Sequence, residues 1–229
     1  MSNRDPSDPK TSHRSHSLGQ NSFYDPVLNP PTRPRRPGNA KDDAWIRAFL
    51  HLGLVAHIGT RWNEQPFVHP SSYWFDEDRH ELVFHSNVVG RLRANSERHD
   101  EMCLEISEFG RFLPSNNPLE ISLQYRSVIV FGRARVVEGD EARRALYGLV
   151  QKYFPTMVPG REYRLIRDED LARTSVYAVT IDDWSGKENW ADRADQTDEH
   201  PLLNEEWFAF TSFRDDMERP RASSSTEGS

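Results

Sequence analysis

The run Leu82-Val83-Phe84-His85-Ser86-Asn87-Val88-Val89-Gly90-Arg91-Leu92-Arg93 holds the residue types and spacing most suited to chemistry. Leu82 and Phe84 alternate with Val83 and His85, the period of a strand. The pattern breaks at Ser86-Asn87 and restarts after Gly90 in a helical register, with Arg91 and Arg93 flanking Leu92. A strand that ends in a small hydroxyl and opens onto an arginine-bearing helix start suits a phosphate dianion. Free backbone N–H groups, the helix dipole, the Ser86 hydroxyl and the guanidinium forks all favour one. The motif is short, and most arginines at such joints are simply solvated.

The elements around it set its context. The chain has 229 residues and a formal net charge of −7, which argues against a general nucleic-acid binder. Its one cysteine, Cys103, excludes an intramolecular disulfide and suits a reducing compartment. No signal-peptide core and no uncharged apolar run near ~20 residues is present, so a soluble cytoplasmic protein with no membrane role is expected. Residues 1–40 are rich in Pro, Ser, Asn and Arg and read as a flexible arm. Residues 41–190 form the expected domain, and residues 191–229 a polar, largely irregular extension.

Trp45, Ala48, Phe49 and Leu52 fall on one face of a short helix with acids in its first turn. Strands are predicted at residues 54–59, 66–75, from Leu82, at 102–106, at 125–137 and at 176–181. Residues 108–124 mix turn formers with large apolar side chains and read as a long connection. Gly132 marks a bulge or bend, with Val128, Val130, Ala134 and Val136 on one face and Arg133 and Arg135 on the other. Asp140 is expected to cap a helix with a 3.6 period that Pro155 ends. The early connections are too short for parallel crossovers. The expectation is therefore mainly β with short helices, a six-stranded antiparallel split barrel.

Val68-His69-Pro70-Ser71-Ser72-Tyr73-Trp74-Phe75-Asp76, Phe84-His85-Ser86 and Gly90-Arg91-Leu92-Arg93 resemble the FMN-binding split barrels of the pyridoxamine 5'-phosphate oxidase superfamily. So do Tyr125 to Ala134 and Trp184 to Trp190. The resemblance covers roughly residues 44–190 and is strongest to the flavin-nucleotide-binding branch related to nitroimidazole-resistance proteins. It implies a homodimer that binds two FMN molecules at its interface. On this chain the phosphate ligands would be Ser86 and Arg91, with Arg93 a further candidate. The backbone of His69, Pro70, Ser71 and Ser72 would face the isoalloxazine ring, and His85 would flank the flavin or ribityl chain. Trp184 and Lys187 would approach from the end of the last strand, across the dimer.

Two departures from the family pattern stand out. Many members carry a lysine directly after the helix-start arginine, where this chain has Leu92. The C-terminal arginine and histidine signature of true pyridoxamine-phosphate oxidases is not visible, which argues against that substrate. His69 and His85 also fit half-buried imidazoles satisfied by backbone. His57, His69 and His85 share no local metal-binding spacing, so no metal site is expected, though haem ligation by a histidine stays open. Cys103 alternates as an ordinary strand residue, and no Gly-x-Ser-x-Gly elbow is present. Arg133 and Arg135 read as solvated, and Trp184 would look the same closing a barrel end.

The resulting expectation is an FMN-dependent oxidoreductase that passes electrons through flavin N5 to or from a small organic substrate, with NAD(P)H a candidate donor. Its catalytic residues are unassigned. A flavin or haem carrier without turnover is the alternative, and a deazaflavin would fit the same pattern.

Overall fold

The computed structural model describes residues 37–209, so all but the last four residues of the expected arm lie outside the described residues. β1 (Ala40–Lys41) leads into α1 (Asp43–Leu52), β2 (Ala56–Trp62), β3 (Gln65–Ser71), β4 (Trp74–Asp76) and β5 (Glu81–Asn87). α2 (Arg91–Arg98), β6 (Glu101–Leu113), β7 (Ser122–Val137), α3 (Gly139–Tyr153), α4 (Asp168–Leu171), β8 (Thr174–Asn189) and α5 (Glu205–Phe208) follow. All pairings between these strands are antiparallel, in the order β3-β2-β6-β7-β8-β5-β4, and β1 adds to β8.

The two ends of that path are consecutive in sequence. β3 and β4 do not pair, yet only Ser72 and Tyr73 separate them. The three steps from Ser71 to Trp74 span roughly 11 Å at most, so the sheet must curl until its edges nearly meet. The result is a barrel split between β3 and β4, with α2 packed between β2 and β5. Mainly antiparallel β structure with short helices is thus the observed class. The expected strand at 66–75 is two strands, broken at Ser72-Tyr73.

Alternation sorts the core into two compartments. Leu82 and Phe84 of β5, Tyr177, Val179 and Ile181 of β8, and Val128 and Val130 of β7 fill the barrel. Val83, Val176 and Ala178 point the other way, against Ala142, Ala145 and Leu149 of α3. With both faces covered, β5 reads as a continuous buried run rather than an alternating one.

Several boundaries differ from the sequence expectation. α1 buries Ile46, Phe49 and Leu50 and leaves Leu52 exposed, so its inner face is rotated from the expected stripe. Asp42 caps α1, accepting from Trp45 N at 2.9 Å. Glu138, not Asp140, is the N-cap of α3, and no side chain caps that helix. β6 continues through Phe109 to Leu113, so part of the expected connection is strand, beyond a register shift between Phe109 and Phe112. β8 continues past Ile181 to Asn189.

The expected irregularity at Gly132 is present. Phe131 pairs with Asp183 and Gly132 with Ile181, leaving Asp182 as an extra residue. A Cβ on Gly132 would come 2.2 Å from Thr180 O, so the close strand contact requires glycine. The extra residue shifts the parity of β8. Tyr177, Val179 and Ile181 face inward before it, and Trp184 and Gly186 do so after it, opposite Val130 and Val128.

Residues 191–209 are largely irregular but are pinned to the β6–β7 connection. Asn116 Nδ2 donates to Thr197 O at 2.8 Å and His200 O at 3.0 Å, and Thr197 N donates to Asn116 Oδ1 at 2.8 Å. Among the described residues no helix is long and apolar enough to cross a membrane.

Candidate functional site

Ser86 closes the barrel face of β5, in step with Leu82 and Phe84. Its hydroxyl donates to Asn87 O at 3.1 Å and lies 3.4 Å from the Tyr177 hydroxyl. The joint after it is held by Asn87 Oδ1, which accepts from Val89 N at 2.9 Å, and by Val88 N donating to Arg173 O at 3.3 Å. Gly90 then takes φ 149 with ψ 176, a conformation essentially reserved for glycine. As the N-cap of α2 it supplies no capping side chain, and a Cβ there would meet nothing within 4 Å. The first N–H groups of α2 thus have no capping side chain, an arrangement that favours an anion.

The two arginines divide. Arg91 is exposed, its guanidinium 4.6 Å over the ring of Phe67 on β3, and among the described residues no carboxylate pairs with it. Arg93 is engaged within the chain: its Nε donates to Glu97 at 2.6 Å and its guanidinium to Ser175 Oγ at 3.0 Å, on the residue that pairs with Ser86. Arg93 is thus already bonded, and among the described residues Arg91 is the one guanidinium of the joint without a carboxylate. Leu92 between them is 7% exposed and part of the barrel core, which explains an apolar residue at that place. On the same face of α2 as Arg91, Asn95 Nδ2 donates to Thr60 Oγ1 at 2.9 Å and Arg98 lies 5.1 Å over Trp62, fixing the helix on β2.

β3 lies on the edge of the sheet and pairs only with β2. Cross-strand neighbours share a face, so Phe67, His69 and Ser71 lie on the same side as their partners Thr60, Ile58 and Ala56. Those partners are buried, so His69 and Ser71 flank the split on the face where Arg91 meets Phe67. Pro70 lies on the other face of β3 with the exposed Val68. The Ser72-Tyr73 link is clamped by Tyr153 of α3, whose hydroxyl accepts from Tyr73 N at 2.9 Å and donates to backbone oxygen.

His85 alternates with Ser86 and therefore lies on the opposite face of β5, beside Val176. It is open to solvent, though surrounding protein desolvates its imidazole and lowers its pKa. Trp184 and Lys187 are farther off. β8 pairs Ser175 with Ser86 and needs nine more residues to reach Trp184, roughly 30 Å along a strand at ~3.3 Å per residue. Trp184 is engaged locally: Nε1 donates to Asp43 at 2.9 Å, Arg47 lies 5.0 Å over the ring, and His80 meets it edge-on at 4.7 Å. Lys187 lines a cavity of about 270 Å³.

Lys152 was not singled out by sequence reasoning. Its amine lies 3.3 Å from the Tyr73 ring centroid and donates to Leu50 O at 3.2 Å, and burial pushes its pKa down to about 7. A lysine in the last turn of an amphipathic helix ordinarily reads as solvated, so the sequence carries no signal for it. Arg133 and Arg135 are ion-paired rather than simply solvated: Arg133 meets Asp100 and Arg135 pairs with Glu81 and Glu141. Among the described residues no group of His, Cys, Asp or Glu is arranged to hold a metal.

Residues 42–188 match the family model described as pyridoxamine 5'-phosphate oxidase. Among solved structures, the flavocytochrome Anf3 from Azotobacter vinelandii is 24% identical, covering 81% of this chain and 82% of its own, with a TM-score of 0.63. An FAD- and haem-binding protein from Mycobacterium smegmatis is 23% identical over 69% of this chain and 76% of its own, TM-score 0.61. A candidate 5-nitroimidazole antibiotic resistance protein from Bacteroides thetaiotaomicron is 19% identical over 65% and 84%, TM-score 0.55. These likenesses are of fold. No curated protein matches the chain.

Proposed function

The chain belongs to the pyridoxamine 5'-phosphate oxidase family, and on that premise we propose that it binds FMN as a homodimer and acts as an oxidoreductase on a small organic molecule. The observation that carries the reading is the unpaired Arg91 beside the uncapped start of α2, with Ser86 on the adjoining strand end. One guanidinium, a set of helix-start N–H groups and a hydroxyl suit one phosphate group. When bound, the flavin supplies electron transfer through N5, with a nicotinamide cofactor as donor.

The chain's own residues bind and orient. Arg91 and α2 hold the headgroup, and the unpaired edge of β3 from His69 to Ser71 offers backbone groups to the ring. Trp184 and Lys187 sit too far along β8 to touch the ligand of Ser86 in the same chain. Any cofactor contact of theirs comes from a second copy. Exposed Leu54 and Val68 provide apolar surface for such an association. Oxidation of pyridoxamine phosphate is not proposed: Ile181 to Trp190 contains no histidine, and its Glu188 is spent on Lys41 and Arg126.

An absorbance spectrum with mass identification of the co-purifying group tests the reading. The expected result is a flavin band near about 450 nm and an FMN mass. Colourless protein that cannot be reconstituted with FMN would overturn it, and a Soret band in its place would assign haem. A carrier without turnover is the second reading, favoured because His69 is the one titratable side chain of β3 on the Arg91 face. Flavin that stays oxidised with NADPH and nitroaromatics or quinones would select it.

A further inference from the structure

Far from the α2 joint, β1, β7 and β8 enclose a second polar cavity within one chain. Pairing of Ala40 with Lys187 brings Asn39 beside the end of β8, and pairing of Tyr125 with Asn189 brings in β7. The cavity, about 270 Å³, is lined by Asn39, Glu120, Ser122, Tyr125, Lys187 and Asn189, with Leu119 and Ile121 as an apolar wall.

Its hydrogen bonds leave an excess of donors. Asn39 Nδ2 donates to the Tyr125 hydroxyl at 3.1 Å, and Asn189 Nδ2 donates to Ser122 Oγ at 3.3 Å. Both hydroxyls are used there as acceptors, so their hydrogens remain to be given to something else. Lys187 is half-buried, yet among the described residues it has neither a carboxylate partner nor an aromatic ring beneath it, unlike its neighbour Lys41, which pairs with Glu188 at 2.7 Å. Glu120 is also half-buried, and among the described residues no cation pairs with it. An ammonium and a carboxylate therefore line one cavity without meeting each other.

We infer that this cavity binds a small carboxylate that carries a hydrogen-bond donor and an apolar body. Lys187, Tyr125 and Ser122 receive the carboxylate, Glu120 accepts from the donor, and Leu119 and Ile121 cover the body. The site is complete in one chain and does not rest on the flavin reading.

Calorimetric titration of the full chain with 4-hydroxybenzoate and its flexible counterpart 4-hydroxybutyrate tests this. Binding of at least one is expected. Lys187→Gln should weaken it about tenfold or more, the loss typical of a charge-assisted hydrogen bond. Glu120→Gln, and probes lacking the hydroxyl (benzoate, butyrate), should weaken it several-fold. Circular dichroism and flavin content, measured alongside, should be unchanged in Glu120→Gln, which separates this site from the cofactor site. Failure of both probes to bind the wild-type chain, or binding indifferent to Lys187→Gln, overturns the proposal. Indifference to Glu120→Gln removes the donor requirement and overturns it as stated.

Discussion

Arg91 of α2 lies with its guanidinium 4.6 Å over the ring of Phe67 on β3, tying the helix that starts the phosphate cradle to the edge strand beside the split. The ring fixes the charge without neutralising it, which a carboxylate in that place would do. Arg93, two residues on, is held by Glu97 and Ser175. The pair gives a matched test. Arg91→Ala should weaken FMN binding by roughly 1–3 kcal/mol, while Arg93→Ala should leave affinity nearly unchanged and lower the melting temperature. Fluorescence titration of flavin against both variants checks this, and equal losses of affinity would contradict the division of roles.

Gly90→Ala should destabilise the fold by about 1–3 kcal/mol, because its backbone conformation is strained for any residue with a Cβ. Space is not the cause, since nothing lies within 4 Å of the added atom. Thermal melts should therefore show a similar cost for Ala and Ser at this position.

Burial pushes the Lys152 amine from the ordinary 10.5 down to about 7. The folded value lies below the unfolded one, so between them the unfolded chain binds more protons. Stability should rise as pH increases through that window. Lys152→Met keeps the aliphatic stem and should flatten the rise, read as melting temperature against pH.

Asp76 is 2% exposed and bonded by Arg144 from α3, with Arg79 at 3.8 Å. Arg144→Ala leaves a buried carboxylate with one distant partner and should cost about 2 kcal/mol, less than a fully buried pair because Arg144 is itself partly open to solvent. Replacing both with apolar residues should cost less than the single change, a comparison that denaturant titration can make.

Much of this architecture was legible in the chain. Gly132 announced its bulge, the alternation around Val128 and Val130 announced a barrel wall, and Ser86 with Gly90 announced the strand–helix joint. The rest depended on information that periodicity does not carry. A two-residue break at Ser72-Tyr73 looks like continuous strand, because what ends pairing there is the curl of the sheet. The separate fates of Arg91 and Arg93 follow from the aromatic ring and the Ser175 hydroxyl that tertiary structure supplies. The reach of β8 beyond Ile181 was hidden because Asp182 interrupts the alternation that would have revealed it. Lys152 became unusual only when Tyr73 and the end of α1 closed over it.

That interruption at Asp182 has a genetic corollary. Removing this one residue would place Asp183 directly after Ile181 and restore regular alternation, with Trp184 still opposite Val130 and Gly186 still opposite Val128. Loss of one residue should therefore be accepted at Asp182 and gain of one rejected beyond it, a contrast that a deletion and insertion scan across residues 181–189 would expose in the yield of folded protein.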